Sequence, residues 1–561
     1  WDEALRSNEG DGLLVRVTRV TGTSTKTTVR LPERRVKIAK GPLKGTVYYN
    51  SYGTQLAKNF SGALISNPTL VDGGAPTGVT TATFGAAVLG IRGGSEAPQP
   101  IAIPGDNGSD SSYCRTCHAV ASGGGSLIVQ AHTNSDRDSW RYTLSPTGAD
   151  IPAGENITSS GDFTWPAISP DGTVIFTHSA GGAGGNTKDS RLFVKDSAVG
   201  GTTADGGTPG WRLVADSGIP AGLRAAFPAF SKDGRKVVFT FFAGTVDGRA
   251  ADKRSLAMMD FDPVAKKLSN FQILFDAAAA PFNAQTDRYA AWASFLPTHD
   301  AVVFQYMVKD NGRDWGFTRS KCEDSPTGGN KNTWPNACHN NGARAELWYV
   351  DLATKTHREL KALNGKTAAG ASYLPTGPNC HGEAGGNAPC NDTPGDDTTL
   401  AFEPTANPVV SGGYAWVVFM SRRMYGNVAT LNPWHSDPRF RNLTAGPTPK
   451  KLWVAAIDLN PAPGADPSHP AFYLPAQELS AGNARGYWVV DPCKAEGNGC
   501  QSGDECCGGF CRPQNGTGAL VCTDQKPTCA QEFERCEVDT DCCAVGRGIR
   551  CINKRCAGTI Q

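Results

Sequence analysis

The sequence predicts an all-β fold, a six-bladed β-propeller followed by small disulfide-rich modules. Three observations predict it: a repeated strand–turn–strand phrase, a composition rich in turn residues, and a tract of closely spaced cysteines near the C-terminal end. Gly and Pro number 66 and 37 among the 561 residues, while only 19% of the residues are charged. This composition is typical of a chain rich in strands and turns rather than a helical one.

The repeated phrase occurs clearly three times: "FTWPAISPDGTVIFTHS" from Phe163, "AAFPAFSKDGRKVVFTFF" from Ala225 and "YAAWASFLPTHDAVVFQYM" from Tyr289. Each copy has an aromatic residue, a short apolar segment, a tight polar turn and a β-branched strand. Asp-Gly pairs at 171–172 and 233–234 are typical hairpin turns between two strands. Outer strands follow each copy, and four antiparallel strands per unit, repeated radially, form the blades of a propeller.

Weaker copies extend the series to six blades, with seven as the alternative count. They lie between roughly Lys40 and Ile103, from Cys117 ("CHAVASGGGSLIVQAHT") and from Phe402 ("FEPTANPVVSGGYAWVVFMS"), the last after an insertion from about Asn364 to Leu400. The phrases resemble the WD40-like repeat known as PD40, found in propellers of the TolB type, over roughly residues 40–490. The resemblance implies a six-bladed propeller but no function, because propellers host binding, scaffolding and catalysis alike.

We therefore expect four parts: an N-terminal extension over 1–39, the propeller over 40–490, and two cysteine-rich modules over 491–524 and 525–561. Of the 18 cysteines, twelve lie between Cys493 and Cys556, in two units of six that each contain an adjacent central pair. Such density indicates a disulfide framework made in an oxidising compartment, because so small a module cannot bury enough apolar surface. A thiolate metal cluster is the alternative, but no histidine follows His469.

The spacing of these cysteines resembles two tandem inhibitor-cystine-knot (knottin) modules. Spacing alone leaves 15 pairings per module open, and the resemblance implies bonds from first to fourth, second to fifth and third to sixth cysteine. These bonds are Cys493–Cys507, Cys500–Cys511 and Cys506–Cys522, then Cys529–Cys543, Cys536–Cys551 and Cys542–Cys556. Both a binding role and a structural cap over the propeller stay open for such modules.

The stretch "SYCRTCHAV" predicts a c-type haem. Cys114 and Cys117 have the two intervening residues that let their thiols reach both vinyl groups, and His118 would supply the proximal iron nitrogen. The cofactor would be one covalent haem c. A Cys114–Cys117 disulfide is the main alternative, and a redox-active pair or a zinc site is weaker.

A sixth iron ligand is sought in the loops that share a propeller face with this motif. His132 belongs to the same blade and is the first candidate, His178 in the next blade is the second, and Met424 is the third. Two further cysteine pairs are predicted to close local loops as disulfides: Cys322 with Cys338, and Cys380 with Cys390. The acidic loop from Asn391 to Thr398 could hold calcium, but such loops are usually just solvated.

Several function classes are disfavoured. A formal net charge of +1 gives no broad basic surface for nucleic acid, and no apolar run is long enough to cross a bilayer. No nucleophile elbow occurs, so a hydrolase is less expected than an electron carrier or a binding protein, and enzymatic activity stays undecided. The chain begins at Trp1, so we expect a processed, exported form.

The leading hypothesis is an exported monohaem c-type cytochrome that transfers electrons in the periplasm, at the outer cell surface or outside the cell. Its partner would be a redox protein or a larger surface assembly, and homo-oligomers are compatible with the sequence. The alternative is a haem-free secreted propeller that serves binding, adhesion or assembly, with Cys114 and Cys117 joined as a disulfide.

Overall fold

A computed structural model gives the structure of the chain. The residues it describes are 13–22, 25–30, 33–36, 43–52, 54, 56, 86–103, 114–132, 137–144, 154–158, 163, 165–178, 189–198, 210–284, 288–309, 344–374, 377–379, 391–395, 400–421, 423, 451–478, 482–514 and 518–558. Within these residues no helix has the length and apolar content that crossing a bilayer requires.

Six four-stranded antiparallel sheets form the blades, and their innermost strands contact one another in a closed ring. This confirms the all-β propeller and, within the described residues, a count of six blades rather than seven. Strands are given from the innermost to the outermost. Blade 1 contains Gly482–Val489, Thr46–Tyr52, Ala86–Arg92 and Gln99–Ala102; blade 2 contains Cys114–Val120, Ser126–His132, Arg137–Thr143 and Gly154–Thr158; blade 3 contains Ala167–Ile168, Val174–Phe176, Leu192–Lys195 and Trp211–Leu213.

The second half of the ring follows the same order. Blade 4 contains Arg224–Phe230, Lys236–Ala243, Leu256–Asp262 and Lys267–Phe275; blade 5 contains Ala290–Phe295, Ala301–Lys309, Arg344–Asp351 and His357–Glu359; blade 6 contains Phe402–Ala406, Tyr414–Ser421, Lys451–Asp458 and Phe472–Tyr473. Two further pairs of short antiparallel strands lie outside the four-stranded sheets: Thr245–Val246 with Arg249–Ala250, and Gly377–Asn379 with Asn391–Gly395.

Blade 1 combines strands from the two ends of the propeller. Gly482–Val489 pairs antiparallel with Thr46–Tyr52, with Val489 opposite Thr46. The indole nitrogen of Trp488 donates to the carbonyl of Lys44 at 2.8 Å. The sequence predicts a blade between Lys40 and Ile103, but that segment supplies only three of its strands. The fourth strand comes from the end of the propeller and closes the ring.

The hairpin turns depend on serine, aspartate and glycine at fixed positions. In blade 4 the Ser231 hydroxyl donates to Asp233 at 2.5 Å and accepts the backbone N–H groups of Arg235 and Lys236 at 3.1 and 2.9 Å. Gly234 has φ +69°, a left-handed conformation that glycine adopts without steric cost. Blade 3 repeats this turn, which explains why the phrase is recognisable in the sequence.

Apolar side chains fill the spaces between neighbouring blades. Successive residues of a strand point to opposite faces, so each blade contributes to the core on both of its sides. Met258 and Met259 show this directly, because both are buried and they belong to different apolar clusters. Val417 and Val418 do the same in blade 6.

The C-terminal region forms two cysteine-rich modules held by six disulfides. The bonds are Cys493–Cys507, Cys500–Cys511, Cys506–Cys522, Cys529–Cys543, Cys536–Cys551 and Cys542–Cys556, which is the pairing that the resemblance implies. Each module has one two-stranded hairpin: Phe510–Pro513 with Leu520–Thr523, and Ile549–Ile552 with Arg555–Gly558. Short 3-10 helices span Gly503–Glu505, Asp539–Asp541 and Val545–Arg547. The predicted Cys322–Cys338 and Cys380–Cys390 pairs lie outside the described residues.

A buried ion pair joins the two modules into one unit, here called the cysteine-rich unit (residues 493–558). Glu534 is 1% exposed and receives two hydrogen bonds from the Arg512 guanidinium, one of them 2.5 Å long. The same carboxylate accepts the backbone N–H groups of Cys511 at 3.2 Å and Gln531 at 2.6 Å. A carboxylate buried in this way needs all of these donors to offset its lost hydration.

The cysteine-rich unit is docked on the propeller face formed by the turns after the innermost strands. Lys44, just before the second strand of blade 1, donates to the Ser502 hydroxyl at 2.7 Å. Asn553 donates to the carbonyl of Pro408 in the turn of blade 6 at 3.1 Å. Its amide oxygen lies 3.0 Å from a ring nitrogen of His299 in the turn of blade 5. The unit therefore spans several blades on one face.

Replacing Glu534 by Ala is expected to loosen the contact between the two modules. Removing one member of a buried pair costs on the order of 3 kcal/mol, because the remaining donors lose their acceptor. Hydrogen–deuterium exchange at the amides of Cys511 and Gln531 should become faster by about tenfold or more. Glu537→Ala, at an exposed acid of the same module, is the control and should leave both amides unchanged. Equal exchange in wild type and E534A would contradict this account.

Candidate functional site

The innermost strands share a bulge at one register position. Pairing with the second strand shifts between residues 116 and 119 in blade 2, 226 and 229 in blade 4, 291 and 294 in blade 5, 402 and 405 in blade 6, and 484 and 487 in blade 1. The residues inside the bulge have left-handed backbone conformations: Phe227, Trp292, Glu403 and Arg485 have φ +48°, +53°, +48° and +34°, and Trp165 at the same place in blade 3 has +41°. Cys117 occupies this position in blade 2.

Bulges re-aim side chains out of the sheet, and here four of these side chains meet at the propeller axis. Phe227 stacks on Trp292 with ring centroids 3.8 Å apart, and Trp165 meets Trp292 edge-on at 5.8 Å. The Arg485 guanidinium lies 4.0 Å from the centroid of the Trp292 ring, a cation–π contact. We call Trp165, Phe227, Trp292, Arg485 and the adjoining His178 the central cluster. Bulky residues in this conformation cost about 1–3 kcal/mol each and are typical of functional sites.

His118 lies beside this cluster and is 1% exposed. Its Nδ1 is 2.6 Å from Asn50 Oδ1, and its Nε2 is 3.3 Å from the backbone oxygen of Tyr48. Asn50 also donates through Nδ2 to the carbonyl of Arg115 at 2.8 Å, so its Oδ1 is the atom that faces His118. The Nδ1–H group of His118 therefore donates to Asn50. These contacts tie blade 2 to the second strand of blade 1.

The environment of His118 favours a neutral imidazole. Burial, and secondarily the positive charge of Arg485, lowers the pKa of His118 to about 3. Both ring nitrogens of His118 thus lie against acceptor oxygens of blade 1, Nδ1 against Asn50 Oδ1 and Nε2 against the Tyr48 carbonyl, and a neutral imidazole has a single N–H to donate. The side chains of Cys114 and Cys117 lie outside the described part of the chain, so the haem prediction remains a prediction.

Between the innermost strands lies a cavity of about 40 Å³, lined in part by Ser122, Lys232, Ser294 and Thr405. Such a volume suits a few water molecules. Lys232 is partly exposed, and desolvation lowers the pKa of its ammonium group to about 8.

The candidate sixth ligands occupy different surroundings. His132 ends the second strand of blade 2, where its backbone pairs with Cys114, but its side chain lies outside the described residues, as does all of Met424. His178 is 1% exposed, and its Nδ1 accepts the backbone N–H of Phe227 at 2.9 Å. Burial, and secondarily Arg485, lowers the pKa of His178 to about 3. Its Nε2 has no hydrogen-bond partner among the described residues.

His178 belongs to a series of residues that hydrogen-bond five of the six blades to the next blade, here called the bridging residues. They occupy equivalent places in the second strand or just after it. Asn50 contacts the Arg115 carbonyl at 2.8 Å, His178 the Phe227 amide at 2.9 Å, Thr240 the Ala290 carbonyl at 2.7 Å, Gln305 the Glu403 amide at 3.1 Å, and Met420 Sδ the Arg485 amide at 2.8 Å. Each bond reaches the bulged strand of the next blade. The described contacts of His178 are therefore those of a structural residue.

Sequence reasoning missed Arg485, Glu403 and the bridging residues. The position of Glu403 could have been predicted from the sequence, because aligning "FEPTA" with "AFPAF" on their prolines places Glu403 where Phe227 stands. The bridging position holds Asn, His, Thr, Gln or Met, which share a hydrogen-bonding capacity but no residue type. Only the strand register brings them into one series.

Comparison with known proteins adds little beyond the fold. No protein-family model and no curated protein matches the chain. It is similar to a chain of a nidogen/laminin complex, with 9% identity over 77% of this chain and 94% of the other and a TM-score of 0.31. A Lactobacillus plantarum protein has 9% identity over 74% of this chain and 90% of its own, with a TM-score of 0.29. Hydrazine synthase of Kuenenia stuttgartiensis has 9% identity over 78% of this chain and 48% of its own, with a TM-score of 0.33. Likeness this distant carries no argument about function.

The two buried histidines predict a pH-dependent stability. Their pKa of about 3 in the folded protein lies below the value near 6.5 expected when unfolded. The unfolded chain therefore binds more protons between these values, and the free energy of unfolding falls as pH is lowered through that window. Each histidine contributes up to about 1.4 kcal/mol per pH unit.

Urea unfolding at several pH values between 7 and 5 measures this slope. The double variant His118→Gln and His178→Gln should show a flatter dependence, because glutamine does not titrate. His469→Gln, at a half-exposed histidine, is the control for the substitution itself and should unfold near the wild-type urea concentration at pH 7. The same slope in the double variant would refute the assignment.

Proposed function

We propose that this chain is an exported, haem-free propeller that binds a partner, with Cys114–His118 as a structural part of blade 2. The observation that carries the proposal is the surroundings of His118. Its ring is 1% exposed, with Nδ1 2.6 Å from Asn50 Oδ1 and Nε2 3.3 Å from the Tyr48 carbonyl, so in this position it joins two blades and both nitrogens point at protein oxygens. To serve as a haem ligand, His118 would have to turn Nε2 from that oxygen to the iron.

Export is supported by the six disulfides, which form and persist in oxidising compartments. The resemblance of the two modules to knottins fits a protein that must resist an extracellular environment. The modules occupy one propeller face, so a partner would use the other. No acid–base pair in the described part of the central cluster supports a catalytic role.

The partner would contact the central cluster, which lies toward the strand ends opposite the cysteine-rich unit. Trp165 is partly exposed there, while Phe227 and Trp292 behind it are 2% exposed and fix its position. Aromatic and arginine side chains held rigidly in a depression are the residues that contribute most to protein recognition. The combination of indole rings and the Arg485 guanidinium suits a partner group with an apolar body and a negative or carbonyl end.

A monohaem c-type cytochrome that passes electrons to a redox partner is the second candidate. One observation favours it besides the Cys-x-x-Cys-His spacing. Asn50 Oδ1 accepts a hydrogen bond from the Nδ1–H group of His118. Partners of this kind fix the tautomer of metal-binding histidines and leave Nε2 to coordinate. Cys114 and Cys117 would hold the haem, which would supply one-electron chemistry, and His118 would have to exchange the Tyr48 carbonyl for the iron.

A visible spectrum decides between the two candidates. The protein is produced in a host with competent haem-attachment machinery and examined oxidised and dithionite-reduced, before and after acid–acetone extraction. We expect no sharp reduced α-band and an intact mass without a haem adduct. Cys114→Ser with Cys117→Ser is the matched control and should give the same spectrum. An α-band that survives extraction and disappears in this variant would replace the proposal by the cytochrome.

Photo-crosslinking tests the proposed binding face. Benzoylphenylalanine at Trp165 is expected to form discrete adducts with an exported partner in producing cells, because this ring is the exposed edge of the central cluster. The same residue at Val264, which is 89% exposed, serves as the control and should give none. Identical adduct patterns from both positions, or none from Trp165, would argue against recognition at this face.

A further inference from the structure

The N-terminal strands form a β-hairpin that the rest of the described structure leaves uncovered. Leu13–Val15 pairs with Arg34–Val36, and Thr18–Thr21 pairs with Thr27–Arg30. Among the described residues, none of these strands pairs with a strand of a blade. Every side chain described from 16 to 22 and from 25 to 30 is exposed. A two-stranded ribbon is marginally stable alone and has unpaired strand edges. A ribbon that is exposed to solvent in this way is a candidate for binding a partner.

The hairpin carries a charge that the balanced composition of the whole chain conceals. Residues 13–36 contain six Lys or Arg and one Asp or Glu, residues 1–12 contain one and four, and residues 37–561 contain 47 and 48. The hairpin is therefore basic, while the rest of the chain is nearly balanced. Of its cations, Arg16, Arg19, Lys26 and Arg30 are exposed, and Arg16 contacts Glu33.

The register distributes the cations over both faces of the ribbon. Arg30 is opposite Thr18, and Arg19 is opposite Val29. Directly opposed residues share a face and successive pairs alternate, so Arg30 and Arg19 belong to opposite faces. Thr18 and three further exposed threonines, Thr21, Thr27 and Thr28, add hydroxyl groups along the same strands. The ribbon thus presents guanidinium and hydroxyl donors on each side.

We propose that this hairpin binds a linear acidic polysaccharide, one that carries carboxylate or sulfate groups. Arginine forks pair with planar carboxylates and with sulfates, threonine hydroxyls match sugar hydroxyls, and the polymer supplies negative charge at regular spacing. The hairpin lies apart from the central cluster, so this inference does not depend on the partner proposed there.

Two other polyanions fit the hairpin less well. Residues 13–40 contain no aromatic residue, Asn, Gln or His. Side chains of those types stack on bases and read base edges, and Trp or Tyr anchors proteins at membrane interfaces. The disulfide-rich region of the same chain also favours a compartment outside the cytoplasm.

The experiment uses the full chain and four probes: alginate as the polyuronate, dextran as the uncharged polymer, duplex DNA, and vesicles of phosphatidylglycerol. The test variant is Arg19→Glu with Lys26→Glu and Arg30→Glu. The matched control is Lys195→Glu with Arg235→Glu and Lys267→Glu, three exposed cations of the blades with the same change in net charge. Near-UV circular dichroism checks folding, and a set of glutamine substitutions replaces the test variant if it fails to fold.

Binding to alginate but not to dextran is expected, with weakening at high salt because exposed charges are screened. The test variant should lose about tenfold or more in affinity, because three cations that attract the polyanion become three anions that repel it, while the control should stay close to wild type. Absence of alginate binding, equal losses in both variants, or tighter binding to DNA or to vesicles than to alginate would overturn the proposal.

Discussion

The antiparallel pairing of Gly482–Val489 with Thr46–Tyr52 is the contact on which the rest of the structure depends. It joins the two ends of the propeller, so all six inner strands are held in one ring. It also assembles the centre of the molecule, because Arg485 and Tyr487 lie on one of these strands and Tyr48 and Asn50 on the other. Every contact described for His118 is made to these four residues or depends on them.

The same dependence governs the surroundings of the Cys-x-x-Cys-His motif. The spacing of Cys114, Cys117 and His118 is that of haem attachment, and in the described structure the His118 side chain is buried beside blade 1. Asn50 then serves two purposes, since it bridges to the Arg115 carbonyl and fixes the His118 proton. The chemistry available to the motif is set by the neighbouring blade.

Charge and cross-linking are both segregated along this chain. The six disulfides found among the described residues all lie in the cysteine-rich unit, where small modules lack the apolar burial to fold otherwise. The propeller is instead stabilised by apolar packing between blades and by the bridging residues. The basic hairpin shares neither device and stands outside the core. Three parts of one chain thus use three different ways to form structure.

The sequence by itself determined the all-β propeller and the two cysteine-rich modules, because these depend on local signals, while the blade count stayed at six or seven and the cysteine pairing was only what the resemblance implies. Serine, aspartate and glycine define the turns over a few residues, as at Ser231 to Gly234, and the cysteine spacing resembles a known framework. The tertiary structure alone decided that blade 1 takes its inner strand from residues 482–489, that Arg485 reaches Trp292, and that His178 and Asn50 bridge blades. These contacts join residues distant in the chain through strand register. A shift of one residue reverses which side chains face the axis, and no local pattern in the sequence fixes that shift.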